Sequence, residues 1–195
     1  MRVIAGTARS MPLRTVKGLD VRPTTDRTKE TLFNILMPWI PGCRFLDLYA
    51  GSGALALEAL SRGAASAVLC DKSREAARVI SANITSLKVE DRARLMAMSD
   101  QQAVRTLQQE GTRFDLVFLD PPYRMDTVPA CKMLDEAQLL LDDALIVIEH
   151  AAESVPVPPE CFRLSDRRRY RDTMISFYRY KEEKDGQTVG VPRQL

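Results

Sequence analysis

The sequence predicts an α/β fold: a mostly parallel, seven-stranded sheet with helices on both faces, a C-terminal antiparallel hairpin and a small N-terminal β arm. Three observations predict it. Between positions 44 and 150, short apolar runs alternate with stretches of helical periodicity. The first of those runs meets its helix through a glycine-containing turn, LDLYAGSG at 46–53. Two strand-like runs without a helical stretch between them, FRLSDRRRY and DTMISFYRY, close the pattern and should pair antiparallel.

Positions 2–5 and 13–16 have short apolar character around a Gly/Ser/Pro-containing bend, which suits a small hairpin or irregular arm. In RPTTDR (22–27), Pro23 favours an extended residue before it, and Thr24, Thr25 and Asp26 are helix-capping types. Leu32, Phe33, Leu36 and Met37 recur at helical spacing from about Asp26, and Pro38 and Pro41 stop that helix. The following pieces alternate: strand 44–48, helix 54–63, strand 66–71, helix 73–87, strand 92–98, helix 100–111, strand 114–120, helix 129–141 and strand 144–150. Right-handed crossovers between such units give a parallel sheet covered on both faces. The expected organisation is a basic arm at 1–25, one catalytic-size domain at 26–181 and a polar tail at 182–195.

The 195 residues are 45% apolar and 28% charged, which fits one globular domain and argues against disorder or a coiled coil. No run approaches the roughly 18–20 apolar residues of a membrane span, and the N-terminus lacks the apolar core of a secretory signal. Cys43, Cys70, Cys131 and Cys161 match no zinc, redox or disulfide spacing, so idle thiols in a reducing cytoplasm are expected. His150 is the single histidine, and no metal site is expected. The net charge is only +2, but residues 1–29 and 163–181 each carry +5, leaving −8 for the remainder. Two basic ends brought to one side would attract a phosphate backbone; the plainer reading is solvated edge strands guarded by Lys and Arg.

Two motifs carry chemistry. In LDLYAGSGALALEAL, Gly51 and Gly53 permit a tight turn and close ligand approach beside a helix N-terminus, and Asp71 ends the next strand, where a carboxylate can hold ribose hydroxyls. Gly51, Gly53 and Ala56 also satisfy the dinucleotide spacing, so a nicotinamide dinucleotide and S-adenosylmethionine fit almost equally. Asp47 tips the balance, because an anion there suits an ammonium group and repels a pyrophosphate. The second motif is DPPY, Asp120–Tyr123, at the end of the most apolar strand. The Asp120 carboxylate and the Pro121 carbonyl present two acceptors to the two hydrogens of an amino group, and Tyr123 offers a face for a base to stack on. Holding both hydrogens favours the pyramidal nitrogen of an in-line attack. A rigid Asx-Pro turn is the structural alternative.

Together, LDLYAGSG, Asp71 and DPPY resemble motif I, the ribose acid and motif IV of class I S-adenosylmethionine-dependent amino-methyltransferases of Rossmann-like fold. RPTTDRTKETLFNIL and AGSGALALEALSRGA narrow the resemblance to the RsmD family, bacterial enzymes that methylate the 2-amino group of one guanine in 16S ribosomal RNA. The resemblance runs from about Arg2 to Tyr180. It implies S-adenosylmethionine held by Asp47, Ala50, Gly51, Ser52, Gly53, Asp71, Lys72, Ser99 and Asp100, and a guanine positioned by Asp120, Pro121 and Tyr123. It places Arg22, Thr24, Asp26, Arg27 and Lys29 at the mouth of the site toward RNA, with Arg9 and Arg168 as further RNA contacts. It also implies a small-ribosomal-subunit partner, with a monomer expected. Ser10 and Met11 depart from a Gly-Arg pair common in the family arm, and Arg171 and Asp172 from a usual glycine-containing turn. Three rivals remain open at this point: an adenine-N6 DNA methyltransferase, a nicotinamide-dependent oxidoreductase, and a silent rRNA-binding assembly factor.

Overall fold

The computed structural model describes residues 1–16, 26–121, 125–170 and 173–181. Its elements run α1 (Asp26–Leu36), a 3-10 turn (Met37–Trp39), β1 (Arg44–Asp47), α2 (Ala54–Ser61), β2 (Ser66–Cys70), α3 (Arg74–Leu87), β3 (Ala93–Met96) and α4 (Asp100–Gln109). They continue with β4 (Phe114–Leu119), α5 (Val128–Glu136), β5 (Leu140–Ala151), β6 (Phe162–Tyr170) and β7 (Thr173–Tyr180). The strands form one sheet in the order β3-β2-β1-β4-β5-β7-β6. β1 to β5 are parallel; β7 runs antiparallel to both β5 and β6. The winding direction reverses between β1 and β4, and in open α/β sheets ligands bind at the carboxyl ends of the strands at such a switch point.

Side-chain alternation divides the core in two. Phe45, Leu116, Phe118 and Val147 pack on one face with Leu32 and Phe33 of α1, Leu57 of α2 and Ile80 of α3. Leu46, Val117, Leu119 and Ile148 pack on the other with Val104 of α4 and Leu134 of α5. Both faces of the central strands are therefore apolar, as a doubly covered parallel sheet requires.

The helix expected at 129–141 is shorter. Gln138 takes a left-handed φ of 53° and ends it, and Leu140 already pairs with Phe114 in the sheet. The register then shifts before Leu116 pairs with Leu145, with Asp143 also at positive φ. The buried Leu139 and Leu140 extend the apolar period of the helix, but they belong to the strand side of a bulge.

The arm is fastened to the helical face carrying α2. Glu58 of α2, fully buried, accepts the amides of Ile4 and Ala5 at 2.8 and 3.0 Å. Ser61 binds Ala5 and Ala8, and a Cβ on Gly6 would stand only 1.8 Å from the Ser61 carbonyl oxygen. Asn83 of α3 accepts the Arg14 amide and donates to the carbonyls of Arg14 and Ser52. The departure at Ser10 has a physical reading: it sits at φ 68°, the left-handed region that glycine enters without strain. Arg171 and Asp172 lie outside the described residues.

Candidate active site

Five neighbouring parallel strands each deliver an acid near their carboxyl ends. In spatial order these are Asp100 after β3, Asp71 after β2, Asp47 at the end of β1, Asp120 after β4 and Glu149 in β5. Adjacent strands lie about 4.8 Å apart, so the acids line one rim of the sheet.

Asp47 is 2% exposed, and its Oδ1 has no hydrogen-bond partner. Burial pushes its carboxyl up to about 7; the Tyr49 backbone amide opposes the rise, and the nearby Asp71 charge adds to it. A buried acceptor without a donor is costly in a folded protein and calls for a ligand that supplies one. Asp71 is fixed rather than orphaned: its two oxygens accept the amides of Gly51 and Ser73 at 2.9 and 2.8 Å. Each keeps a lone-pair direction for a hydroxyl donor.

The turn joining β1 to α2 is shaped by its glycines. Gly51 has φ 56°, and a Cβ there would meet nothing within 4 Å, so its side borders open space. Gly53 has φ 77°, the left-handed region that favours glycine, and a Cβ would press on Leu69 Cδ2 at 2.8 Å. Ala50 is buried, while Ser52 is half-buried with its carbonyl held by Asn83. Lys72 is exposed on the rim. Ser99 caps α4 in a reciprocal pair with Gln102, and Asp100 accepts the Tyr49 hydroxyl at 2.8 Å.

On the far side of the switch point, Asp120 is mostly buried and Pro121 is buried. Burial, then the charges of Glu149 and Asp47, raise the Asp120 carboxyl well above the ordinary range. Glu149 is raised too, chiefly by burial. Asp120 is therefore disfavoured as an anion by both Glu149 and Asp47, and a ligand bearing positive charge and N–H donors would relieve it. Tyr123, expected to stack a base, lies outside the described residues.

The expected RNA contacts divide. Arg9 is exposed on the arm, and Arg168 is exposed on β6 in an ion pair with Asp166 at 2.8 Å. Arg22 and Thr24 lie outside the described residues, as does the side chain of Arg27 within α1. Lys29 requires correction: it is 1% exposed, donates to the Arg2 carbonyl and pairs with Glu58 at 3.4 Å. A cation enclosed in this way fastens the arm to α2 and does not face RNA.

Tyr49, Asn83, Glu58 and Glu149 were not singled out from sequence, yet each shapes the site or its support. Tyr49 and Glu149 had a readable signal, since one lies inside the glycine motif and the other is an acid ending an apolar strand. For Glu58 and Asn83 the signal was a polar residue on the apolar stripe of a helix.

The family model described as Conserved hypothetical protein 95 matches residues 1–179. Ribosomal RNA small subunit methyltransferase D of Escherichia coli (strain K12) is 36% identical over 190 residues, 96% of this chain and 93% of that protein. The Haemophilus influenzae protein of the same name is 36% identical over 166 residues, covering 84% of this chain and 86% of that protein. The solved Escherichia coli yhhF chain superposes with a TM-score of 0.82 at 36% identity, covering 94% of this chain and 99% of that one. These similarities span both halves of the rim and the arm that supports it, and the chain belongs to the Conserved hypothetical protein 95 family, the RsmD-type methyltransferases.

Proposed function

We propose that this protein methylates the exocyclic 2-amino group of a guanine in 16S ribosomal RNA with S-adenosylmethionine as donor. The observation that carries the reading is the buried Asp47, whose Oδ1 lacks a partner, one strand from Asp120 and beside the open glycine turn. The names of the relatives, both small-subunit rRNA methyltransferases, support the RNA substrate.

S-adenosylmethionine supplies, when bound, a methyl carbon made electrophilic by a positively charged sulfur. Asp47 Oδ1, which has no partner of its own, would accept from the donor's ammonium group. Ala50, Gly51, Ser52 and Gly53 line the turn along the amino-acid part. Asp71, held by two amides, presents fixed acceptors to the ribose hydroxyls. Lys72, Ser99 and Asp100 border the base end, with Asp100 braced by Tyr49.

Asp120 and the Pro121 carbonyl take the hydrogens of the guanine amine and aim its lone pair. The Asp120 charge also stabilises the positive charge that develops on nitrogen, and the surplus proton leaves to Asp120 or to water. Tyr123 stacks the guanine once it has left the helix stack, a contact worth about 1–3 kcal/mol. Arg9, Arg22, Thr24, Arg27 and Arg168 contribute phosphate contacts that position the RNA. The enzyme acts in the cytoplasm, where ribosomal subunits are made. Nucleoside mass spectrometry of 16S RNA from a strain lacking this protein should show a loss of N2-methylguanosine. Undiminished N2-methylguanosine would reject the substrate.

A further inference from the structure

Glu149 has no assigned task in the site just described, yet its placement is specific. The β4–β5 register pairs Leu119 with Ile148, so the next step sets Asp120 beside Glu149 on the neighbouring strand. Alternation puts both on the face that carries Phe118 and Val147, the face Asp47 shares. The backbone of Glu149 is braced from its other side, where Glu149, His150 and Ala151 pair with Ile175, Met174 and Thr173 of β7. His150 is pinned by Ser176 Oγ and the Ala151 carbonyl, both at 2.8 Å. Among the described residues, no side-chain hydrogen bond or ion pair engages the Glu149 carboxylate, whose backbone alone is held by β7. The acids do not stand alone as evidence of a ligand, because Asp47 Oδ1, buried without a partner, borders the same space.

The chemistry of the bases then decides what a third acceptor is for. If Asp120 and Pro121 hold an amino group, Glu149 faces the ring nitrogen next to it. In guanine the 2-amino group stands between N1, which carries a hydrogen, and N3, which does not, so a carboxylate at this point favours the orientation that turns N1–H toward it. In adenine and cytosine the ring nitrogen beside the amino group is a bare lone pair, which a carboxylate repels. We propose that Glu149 is a specificity-determining residue whose carboxylate accepts the N1–H of the target guanine while Asp120 and Pro121 hold the adjoining amine. This rests on the guanine-N2 reading above. It gives a physical reason why a DPPY site, which by itself grips any amine, would select guanine.

The test uses the full chain and small subunits reconstituted with 16S RNA whose mapped target is either guanosine or 2,6-diaminopurine. The analogue keeps the 2-amino group but has an unprotonated N1. Wild-type enzyme should prefer guanosine by at least about a hundredfold in kcat/KM, as expected where a buried polar group meets the wrong partner. Glu149→Gln can donate to the bare N1, and the preference should shrink to below about tenfold through gain on the analogue as well as loss on guanosine. Glu149→Asp should retain the preference at reduced rate. S-adenosylmethionine affinity and melting curves, unchanged within a few-fold and a few degrees, check that the variants are folded. A Gln variant that slows both substrates equally, or keeps the wild-type preference, overturns the role of Glu149 and leaves the guanine reading intact. Wild-type enzyme that forms no N2-methylguanosine on the guanosine substrate overturns the guanine reading and this assignment with it.

Discussion

Two buried carboxylates, Glu58 and Asp47, are exposed by 0% and 2%, and they behave in opposite ways. Glu58 is saturated: its oxygens accept two arm amides, the Arg62 guanidinium at 2.8 Å and the Lys29 ammonium at 3.4 Å. The Arg62 guanidinium also lies over the Phe33 ring, 5.0 Å from its centroid. Asp47 has an empty acceptor and a carboxyl raised to about 7. Burial alone does not separate structure from function; the count of partners does. An acid whose lone pairs are all occupied holds the fold, and one with an unpaired oxygen is where the proposed donor would bind.

Substitutions can break or sharpen that contrast. The largest effect should come from the functional rim: Asp120→Ala is expected to lower turnover roughly 10²–10³-fold while S-adenosylmethionine affinity stays within a few-fold. Methyl incorporation and calorimetry measure the two separately. A rate within a few-fold of wild type would reject the role of Asp120.

Glu58→Ala should be the most damaging to the fold. It strands the Lys29 charge inside the protein and releases the arm, at a cost of about 3–5 kcal/mol in denaturant unfolding. A loss below about 1 kcal/mol would show that the cluster is not the anchor.

Asp47→Asn should act in the reverse sense, weakening the donor without weakening the fold. The folded-state value near 7 lies above the roughly 3.9 of an unfolded Asp, so the ligand-free protein binds a proton that the unfolded chain releases. Through this group, stability falls as pH rises from about 4 to 7, and it is the ionised form that the donor's ammonium needs. Donor affinity should therefore increase by up to about tenfold per unit toward pH 7 and flatten above it, and Asn should remove that portion of the dependence. A titration in which wild type and Asn follow the same pH curve would separate Asp47 from the ammonium.

The smallest effect tests the arm. Ser10→Gly relieves a left-handed φ of 68° and should stabilise by about 1 kcal/mol, with donor affinity and turnover unchanged. A drop in melting temperature would mean that the hydroxyl, rather than the backbone, governs this position.

Much of the architecture was legible because each strand and helix declared its own period and the glycines marked the junctions. The start of β5 was not, because Leu139 and Leu140 satisfy a helical stripe and a strand equally and only the left-handed Gln138 separates them. The proposed donor half of the rim is a local pattern, because Asp47, Gly51 and Gly53 fall within seven residues of one strand–turn–helix. Lys29 misled because a lysine in RPTTDRTKE looks like a solvated charge. Its burial depends on Glu58, 29 positions later, and on the arm folding over both. Glu149 lies in a run that sequence marks only as an apolar strand, and its place beside Asp120 comes from strand register and not from neighbours in the chain.

The amide of Asn83 has a consequence for how this molecule could be trimmed. Through one side chain it grips Arg14 on the arm and the Ser52 carbonyl on the glycine turn. The first sixteen residues thus work as a clasp, steadying by relay a loop they largely stand apart from. A shortened version starting at α1 would forfeit that grip along with the amides that satisfy Glu58, and the glycine turn after β1 would lose a brace without any change in its own residues.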